Sequence, residues 1–142
     1  MLAAEIVATF AAGVFAGAAI YINVAEHPAR MECGVPLAVT EFGPSYRRAA
    51  VMQAGLAAIG SAAGASAWWL GAGRPWLIGA VVLSFVVPFT VFVIMPTNRR
   101  LLDRGLDRTS SEAHDLLVRW GRLHAVRSLA GAISFLMFVS FR

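Results

Sequence analysis

Eight side chains in this sequence have the types and spacing to do chemistry: Asn23, Glu26, His27, Tyr46, Asn98, Trp120, His124 and Arg127. An imidazole with an ordinary pKa near ~6.5 suits proton abstraction around neutrality. His27 and His124 are therefore candidate general bases. Trp120, His124 and Arg127 follow one another at i, i+4 and i+7, so they share one helix face. Asn23, His27 and Arg30 repeat that spacing earlier in the chain, up to the point where Pro28 is expected to break it. Arg127 lies about two turns inside an apolar segment, where a charge is expensive and calls for a partner. Glu26 is the first candidate for that partner, which completes a catalytic set of His27, His124, Arg127 and Glu26. Asn23, Tyr46, Asn98 and Trp120 supply hydrogen bonds and a flat aromatic surface, as a substrate-binding set would.

Two imidazoles and a carboxylate are also the ligand set of many non-haem metal sites, so His27, His124 and Glu26 could hold a metal. No His-x-x-x-His pair occurs on one helix, and acid–base use of the histidines requires no cofactor. Bland roles compete for several of these residues. Glu26, Arg30, Arg47 and Arg48 have the look of interfacial anchors, Asn98 of a helix cap, Trp120 of an interfacial aromatic and His114 of a solvated histidine. Cys33, the single cysteine, has no partner at metal-motif spacing. Phosphate-binding glycine loops, nucleophile elbows and dinucleotide fingerprints do not occur.

The elements that must position these residues are set by hydropathy. Of 142 residues, 58% are apolar and 14% charged, with a mean hydropathy of +0.69; soluble domains carry about 25% charged residues. The expected fold is all-α: a single domain, a four-helix transmembrane bundle with spans at about 6–24, 49–71, 76–95 and 123–141, each close to the ~20 residues a bilayer core requires. The start, Met1 to Glu5, has no positive n-region, so the first span reads as a retained helix rather than a signal peptide. Pro88 falls inside the third span as a tolerated kink. The fourth helix should begin near Ser111, where Ser-Glu-Ala-His has the form of a cap and first turn. Gly13 with Gly17, and Gly60 with Gly64, make small-xxx-small pairs that let helices approach closely.

Charge placement sets orientation. All twelve basic residues are arginine, and only Arg74 and Arg142 lie on the side of the termini. The positive-inside rule then makes the connections at 25–48 and 96–122 cytoplasmic and leaves both termini outside. Trp68, Trp69 and Trp76 should form an outer aromatic belt, with Trp120 at the inner interface. Arginines at span ends do not form the basic stripe of a nucleic-acid binder. The expected partners are instead a lipid bilayer, a hydrophobic small molecule and, for a bundle this small, a second copy of itself. All eight candidate residues sit at one end of their helices, which a bundle would gather around a cavity.

At these residues the chain resembles the anthrone oxygenase-like membrane family. The resemblance is carried by Gly17-Ala18-Ala19 leading to Asn23, Glu26-His27-Pro28-Ala29-Arg30, Tyr46-Arg47, Pro96-Thr97-Asn98, and Trp120 with Leu123-His124 and Arg127. It spans nearly the whole chain and implies a four-helix membrane bundle, here a bacterial member in the inner membrane. Characterised fungal members of that family oxidise an anthrone to an anthraquinone with molecular oxygen. If this transfers, the matching positions are the eight named above. A histidine would remove a proton from the acidic methylene, the resulting anion would react with oxygen, and Arg127, Asn98 or Tyr46 would stabilise the oxyanion.

The function expected is thus a membrane oxidoreductase acting on a hydrophobic aromatic or quinol-like molecule. Two other classes compete. A non-enzymatic binder or transporter would require more polarity at mid-membrane than Gln53, Ser61, Ser66, Ser84 and Thr90 provide, and flux into reconstituted vesicles would reveal it. A structural subunit of a larger complex would use the same cluster as a salt-bridge network and would lose stability without its partner.

Overall fold

Proline and glycine set the ends of the helices. The computed structural model describes residues 1–141; Arg142, assigned above to the side of the termini, lies outside the described residues. Four long helices account for most of the chain: α1 Leu2–Glu32, α2 Val35–Ala72, α3 Arg74–Leu101 and α4 Ser111–Ser140. All four are long and apolar enough to cross a bilayer. Gly34 and Gly73 hold φ of 90° and 96° at the α1–α2 and α2–α3 junctions, a conformation that costs an L side chain and suits glycine. Pro36 and Pro75 follow in the first turns of α2 and α3, where a missing N–H breaks no helical bond. Helix α4 starts where Ser110 accepts a hydrogen bond from Ala113 N at 3.1 Å, an ordinary serine cap.

The 25–48 stretch, expected as a loop, is mostly helix: α1 continues to Glu32 and α2 resumes at Val35. Pro28 does not end α1. The turn before it opens into a π-helical stretch, Ile22–Glu26, and a second, Thr90–Ile94, precedes Pro96. A helical proline clashes with the carbonyl four residues earlier. Those carbonyls belong to Val24 and Phe92, inside the two π stretches, and the wider turn relieves the clash while the helix carries on. Both widened turns lie at the arginine-rich end.

The helices run up and down, each packed on its sequence neighbour, with α4 closing the ring against α1. In lipid the hydrophobic effect does not press helices together, so close approach and dispersion must do so. Small residues provide it: Ala8, Ala12, Ala19, Ala57, Ala67 and Ala80 are buried around Phe15, Leu83 and Phe138. A Cβ added at Gly60 would lie 2.7 Å from Leu83 Cδ2, and at Gly64 2.7 Å from Phe138 Cζ. The Gly60–Gly64 pair is thus a true packing seam. Gly13 faces Phe135 closely, but Gly17 has nothing within 4 Å, so the expected Gly13–Gly17 pair works only at its first member.

Large apolar side chains such as Val51, Phe92 and Leu129 point outward at 77%, 78% and 61% exposure, as a lipid-facing surface requires. Trp68 and Trp69 are exposed at the far end, but Trp76 is 1% exposed. It stacks on Phe138 with centroids 5.0 Å apart and donates from Nε1 to Phe141 O. Trp76 therefore belongs to the core and not to the belt. A second buried cluster at the opposite end contains Ile22, Phe42, Ile94, Leu101, Leu117 and Trp120. Trp120 is core there too, not an interfacial marker.

Candidate functional site

The widened turn of α1 aims Asn23 at α4. Asn23 Nδ2 donates to Gly121 O at 3.0 Å, while its Oδ1 lies 2.9 Å from His124 Nδ1 and accepts from Ser128 Oγ at 2.6 Å. With the amide nitrogen committed to Gly121, Oδ1 can only accept. His124 Nδ1 is then the protonated ring nitrogen, and Nε2 carries the lone pair. His124 is 2% exposed and lines a narrow cavity of about 20 Å³, room for roughly one water-sized molecule. Trp120 stacks on the His124 ring at 4.8 Å and 29°. The aromatic set continues to Phe42, edge-on to Trp120 at 5.2 Å, and to Tyr46, stacked on Phe42 at 5.6 Å.

Two arginines border this cavity with opposite environments. Arg30, buried, pairs with Glu26 and, from Nε, with Glu41 Oε2 at 2.7 Å; it also donates to Ser45. Its guanidinium lies 5.9 Å from the Phe42 centroid and 5.7 Å from that of Trp120. Two carboxylates and two ring faces compensate its charge. Arg127, on the other wall, has no acidic partner among the described residues. Its Nη2 donates to Gln53 Oε1 at 2.8 Å, its guanidinium lies 5.8 Å from the Phe15 centroid, and its Nε has no partner. Glu26 is therefore the counter-ion of Arg30, not of Arg127: its carboxylate is taken up by Arg30 and Ser45 across the α1–α2 crossing.

The expected residues divide accordingly. Tyr46, Trp120, His124 and Arg127 line the cavity, and Asn23 touches it through His124. His27 is buried against Trp120 at 5.2 Å and against Gly121, where an added Cβ would come within 2.8 Å of its ring. It does not line the cavity. Asn98 is 1% exposed, and neither end of its amide has a partner, so it is not a helix cap open to solvent. Among the described residues no three of His, Cys, Asp and Glu gather closely enough to hold a metal ion. His27, His124 and Glu26 consequently do not form a ligand set.

Arg30, Gln53, Phe42 and Ser128 complete the site; the sequence offers Arg30 as an interfacial anchor and Gln53 as a polar break in a span, and does not point to Phe42 or Ser128. Gln53 had a readable signal: it is a lone amide at membrane depth, 1% exposed, and seven residues beyond Tyr46. Arg30, four residues after Glu26, resembles any interfacial arginine until Phe42 and Trp120 are seen to enclose it.

The sequence model of the anthrone oxygenase family matches residues 42–137, which include Gln53, Asn98, Trp120, His124 and Arg127 but not Asn23, Glu26, His27 or Arg30. The anthrone oxygenase tpcL of Aspergillus fumigatus is 45% identical over 62 residues, covering 42% of this chain and 38% of that protein. The anthrone oxygenase ptaC of Pestalotiopsis fici is 41% identical over 61 residues, 37% of this chain and 43% of its own length. The anthrone oxygenase nsrD of Aspergillus novofumigatus is 36% identical over 80 residues, 53% and 46%. The matches thus span less than half the length of each of these relatives. No solved structure matches the chain. A family match over more than half of the sequence, on a bundle most of whose buried polar residues converge at one end, places this chain in the anthrone oxygenase family.

Proposed function

We propose that this protein is a membrane oxygenase that converts an activated aromatic methylene, such as that of an anthrone, to a ketone with molecular oxygen. The observation that carries the proposal is His124, held with Nδ1–H toward Asn23 and its basic Nε2 free, on the wall of a cavity that admits only a small molecule. Nε2 takes a proton from the methylene through a water held in that cavity, and the carbanion delocalises through the aromatic rings onto the ketone oxygen opposite the methylene. The carbanion adds dioxygen to form a C–O bond, and the peroxide takes the proton back. Loss of water from the hydroperoxide leaves the new carbonyl, so CH₂ plus O₂ becomes C=O plus H₂O. Trp120, stacked on the ring, favours the imidazolium that forms. Arg127 supplies positive charge where the oxyanion develops. Tyr46, on the wall shared with the α2–α3 side, contacts the substrate, and His27, packed on Trp120, positions that ring.

The arginine-rich end faces the cytoplasm in this reading, with both termini outside, and the substrate reaches the site through the bilayer.

The test supplies anthrone and oxygen to the detergent-purified chain and follows anthraquinone absorbance with oxygen uptake. One oxygen consumed per anthraquinone is expected. Replacing His124 with alanine should slow turnover by about 10²- to 10⁴-fold, the range of a general base. Undiminished turnover in the His27→Ala/His124→Ala double variant would remove catalysis from this site.

A further inference from the structure

A cavity of about 20 Å³ cannot hold a tricyclic aromatic, so the substrate must lie elsewhere. Two crevices open laterally toward the lipid beside it. One, between α1 and α2, has about 350 Å³ and is walled by Ala18, Tyr21, Arg48 and Met52 among others. The other, between α2 and α3, has about 200 Å³ and is walled by Ala54, Val87, Thr90 and Val91, with Gln53 and Arg127 at its inner side. Gln53, Arg127, Tyr46 and Ala50 also line the small cavity, so this second crevice and the cavity share a wall.

That shared wall carries two hydrogen-bond donors, Gln53 Nε2 and Arg127 Nε, both buried and without partners among the described residues. Gln53 is 1% exposed, and its carbonyl is already committed to Arg127. A buried amide donor left empty is costly, and the arginine beside it has no carboxylate partner among the described residues. A ligand with an oxygen acceptor, able to take on negative charge, satisfies both. Lipid tails provide no such atom. In the α1–α2 crevice, by contrast, no buried donor among the described residues is left empty: Glu26 is taken up by Arg30 and Ser45, Arg48 donates to Pro44 O, and the Tyr21 side chain is exposed.

We infer that the α2–α3 crevice is the binding groove for a flat aromatic ketone arriving from the lipid, and that Gln53 Nε2 and Arg127 Nε receive its carbonyl oxygen. This rests on the oxygenase reading and gives it a substrate position. The apolar rings lie against Ala54, Val87 and Val91, and the oxygen sits on the shared wall. Donors at that place bind the ketone weakly and its enolate strongly, so they favour the deprotonated state that reacts with oxygen.

The experiment pairs binding with turnover on the full-length chain in detergent. Binding of 9,10-anthraquinone, an unreactive ketone of the same shape, is titrated by thermophoresis beside anthrone turnover. Ala54→Trp fills the crevice without reaching the cavity and should weaken anthraquinone binding at least tenfold. Met52→Trp fills the other crevice and should leave binding unchanged. Gln53→Glu keeps the partner of Arg127 but exchanges the free donor for a carboxylate. It should lower kcat more than it raises KM, with a total loss of roughly 10- to 100-fold for a lost bond to a charged group. Gln53→Asn, which retains an amide donor, should recover part of the loss.

If Met52→Trp abolishes binding and Ala54→Trp does not, the groove is the wrong one. If turnover depends on His124 but neither binding nor kcat responds at Ala54 or Gln53, the inference falls and the oxygenase reading stands. Absence of both anthraquinone binding and anthrone turnover in the unmodified chain overturns both.

Discussion

Replacing Asn23 with leucine would separate the chemistry of this site from its architecture. The substitution removes three hydrogen bonds at once, to Gly121 O at 3.0 Å, His124 Nδ1 at 2.9 Å and Ser128 Oγ at 2.6 Å. Inter-helix hydrogen bonds in membrane bundles average about 0.6 kcal/mol, and buried ones in proteins about 1 kcal/mol. Three of them give about 2–3 kcal/mol of lost stability, readable as a shifted midpoint in detergent–SDS unfolding followed by circular dichroism. The larger effect is on activity. Asn23 acts on the reaction only through His124, by fixing which ring nitrogen bears the proton. Its loss therefore cannot exceed that of removing His124 itself, about 10²- to 10⁴-fold, and should lie between that and the unmodified chain. The double variant Asn23→Leu/His124→Ala should be no slower than His124→Ala alone, because residues acting as one unit are not additive. Additive losses in that cycle, or full activity in Asn23→Leu, would refute the positioning role.

The remaining predictions concern packing, orientation and the α3–α4 connection. Gly64→Ala drives a methyl within 2.7 Å of Phe138 Cζ and 3.2 Å of Ala80 Cβ; it should destabilise the bundle by about 1–3 kcal/mol. Gly17→Ala, facing open space, should be neutral or gain up to about 1 kcal/mol from helix propensity, and equal unfolding midpoints for the two variants would contradict this packing. Cys33, the one cysteine and an exposed one, sits at the α1–α2 junction. A membrane-impermeant maleimide should label it only after permeabilisation if that junction is cytoplasmic, and labelling of intact cells would invert the proposed topology. In the 102–110 connection, the Gly105 N–H and then Arg100 hold the Asp103 carboxyl below its ordinary pKa, and Thr109 does the same for Asp107. A depressed folded-state pKa contributes stability above the unfolded value and loses it as pH falls through the folded one. Amide-exchange protection at Gly105 and Thr109 should therefore decline on acidification below the ordinary aspartate range and remain level above it.

Much of the fold is readable in the sequence because the bilayer imposes a length and a polarity that few other environments demand. The apolar runs, the glycine–proline junctions at Gly34–Pro36 and Gly73–Pro75, and the serine start of α4 each have a local physical cause. What the sequence concealed is where local rules are overridden. Pro28 and Pro96 look like helix ends, yet each clash is absorbed by one widened turn and the helix continues. Trp76 reads as an interfacial aromatic from its position, but Phe138 and the Phe141 carbonyl draw it into the core. Gly17 shares its spacing with the packing glycines and faces outward, because which face of α1 meets α4 is decided by the whole bundle.

The site was legible as a set of residues and not as a set of pairs. Sequence position shows that Arg127 is too deep to be an ordinary anchor, but pairing it with Glu26 follows only from the absence of another obvious acid. In the bundle the widened turn of α1 places Glu26 beside Arg30 and Ser45, and the charge of Arg30 is balanced before Arg127 can compete. Arg127 is left with an amide where a carboxylate would be expected. For a structural salt-bridge network this is a poor outcome: a charge in low dielectric keeps most of its desolvation cost when its only partner is neutral. The same deficit is useful if negative charge arrives with the ligand and grows during reaction, since an arginine already neutralised by a carboxylate would have little left to offer an enolate. The unpaired state of Arg127, which the sequence did not disclose, thus favours catalysis over scaffolding as the use of this end of the bundle.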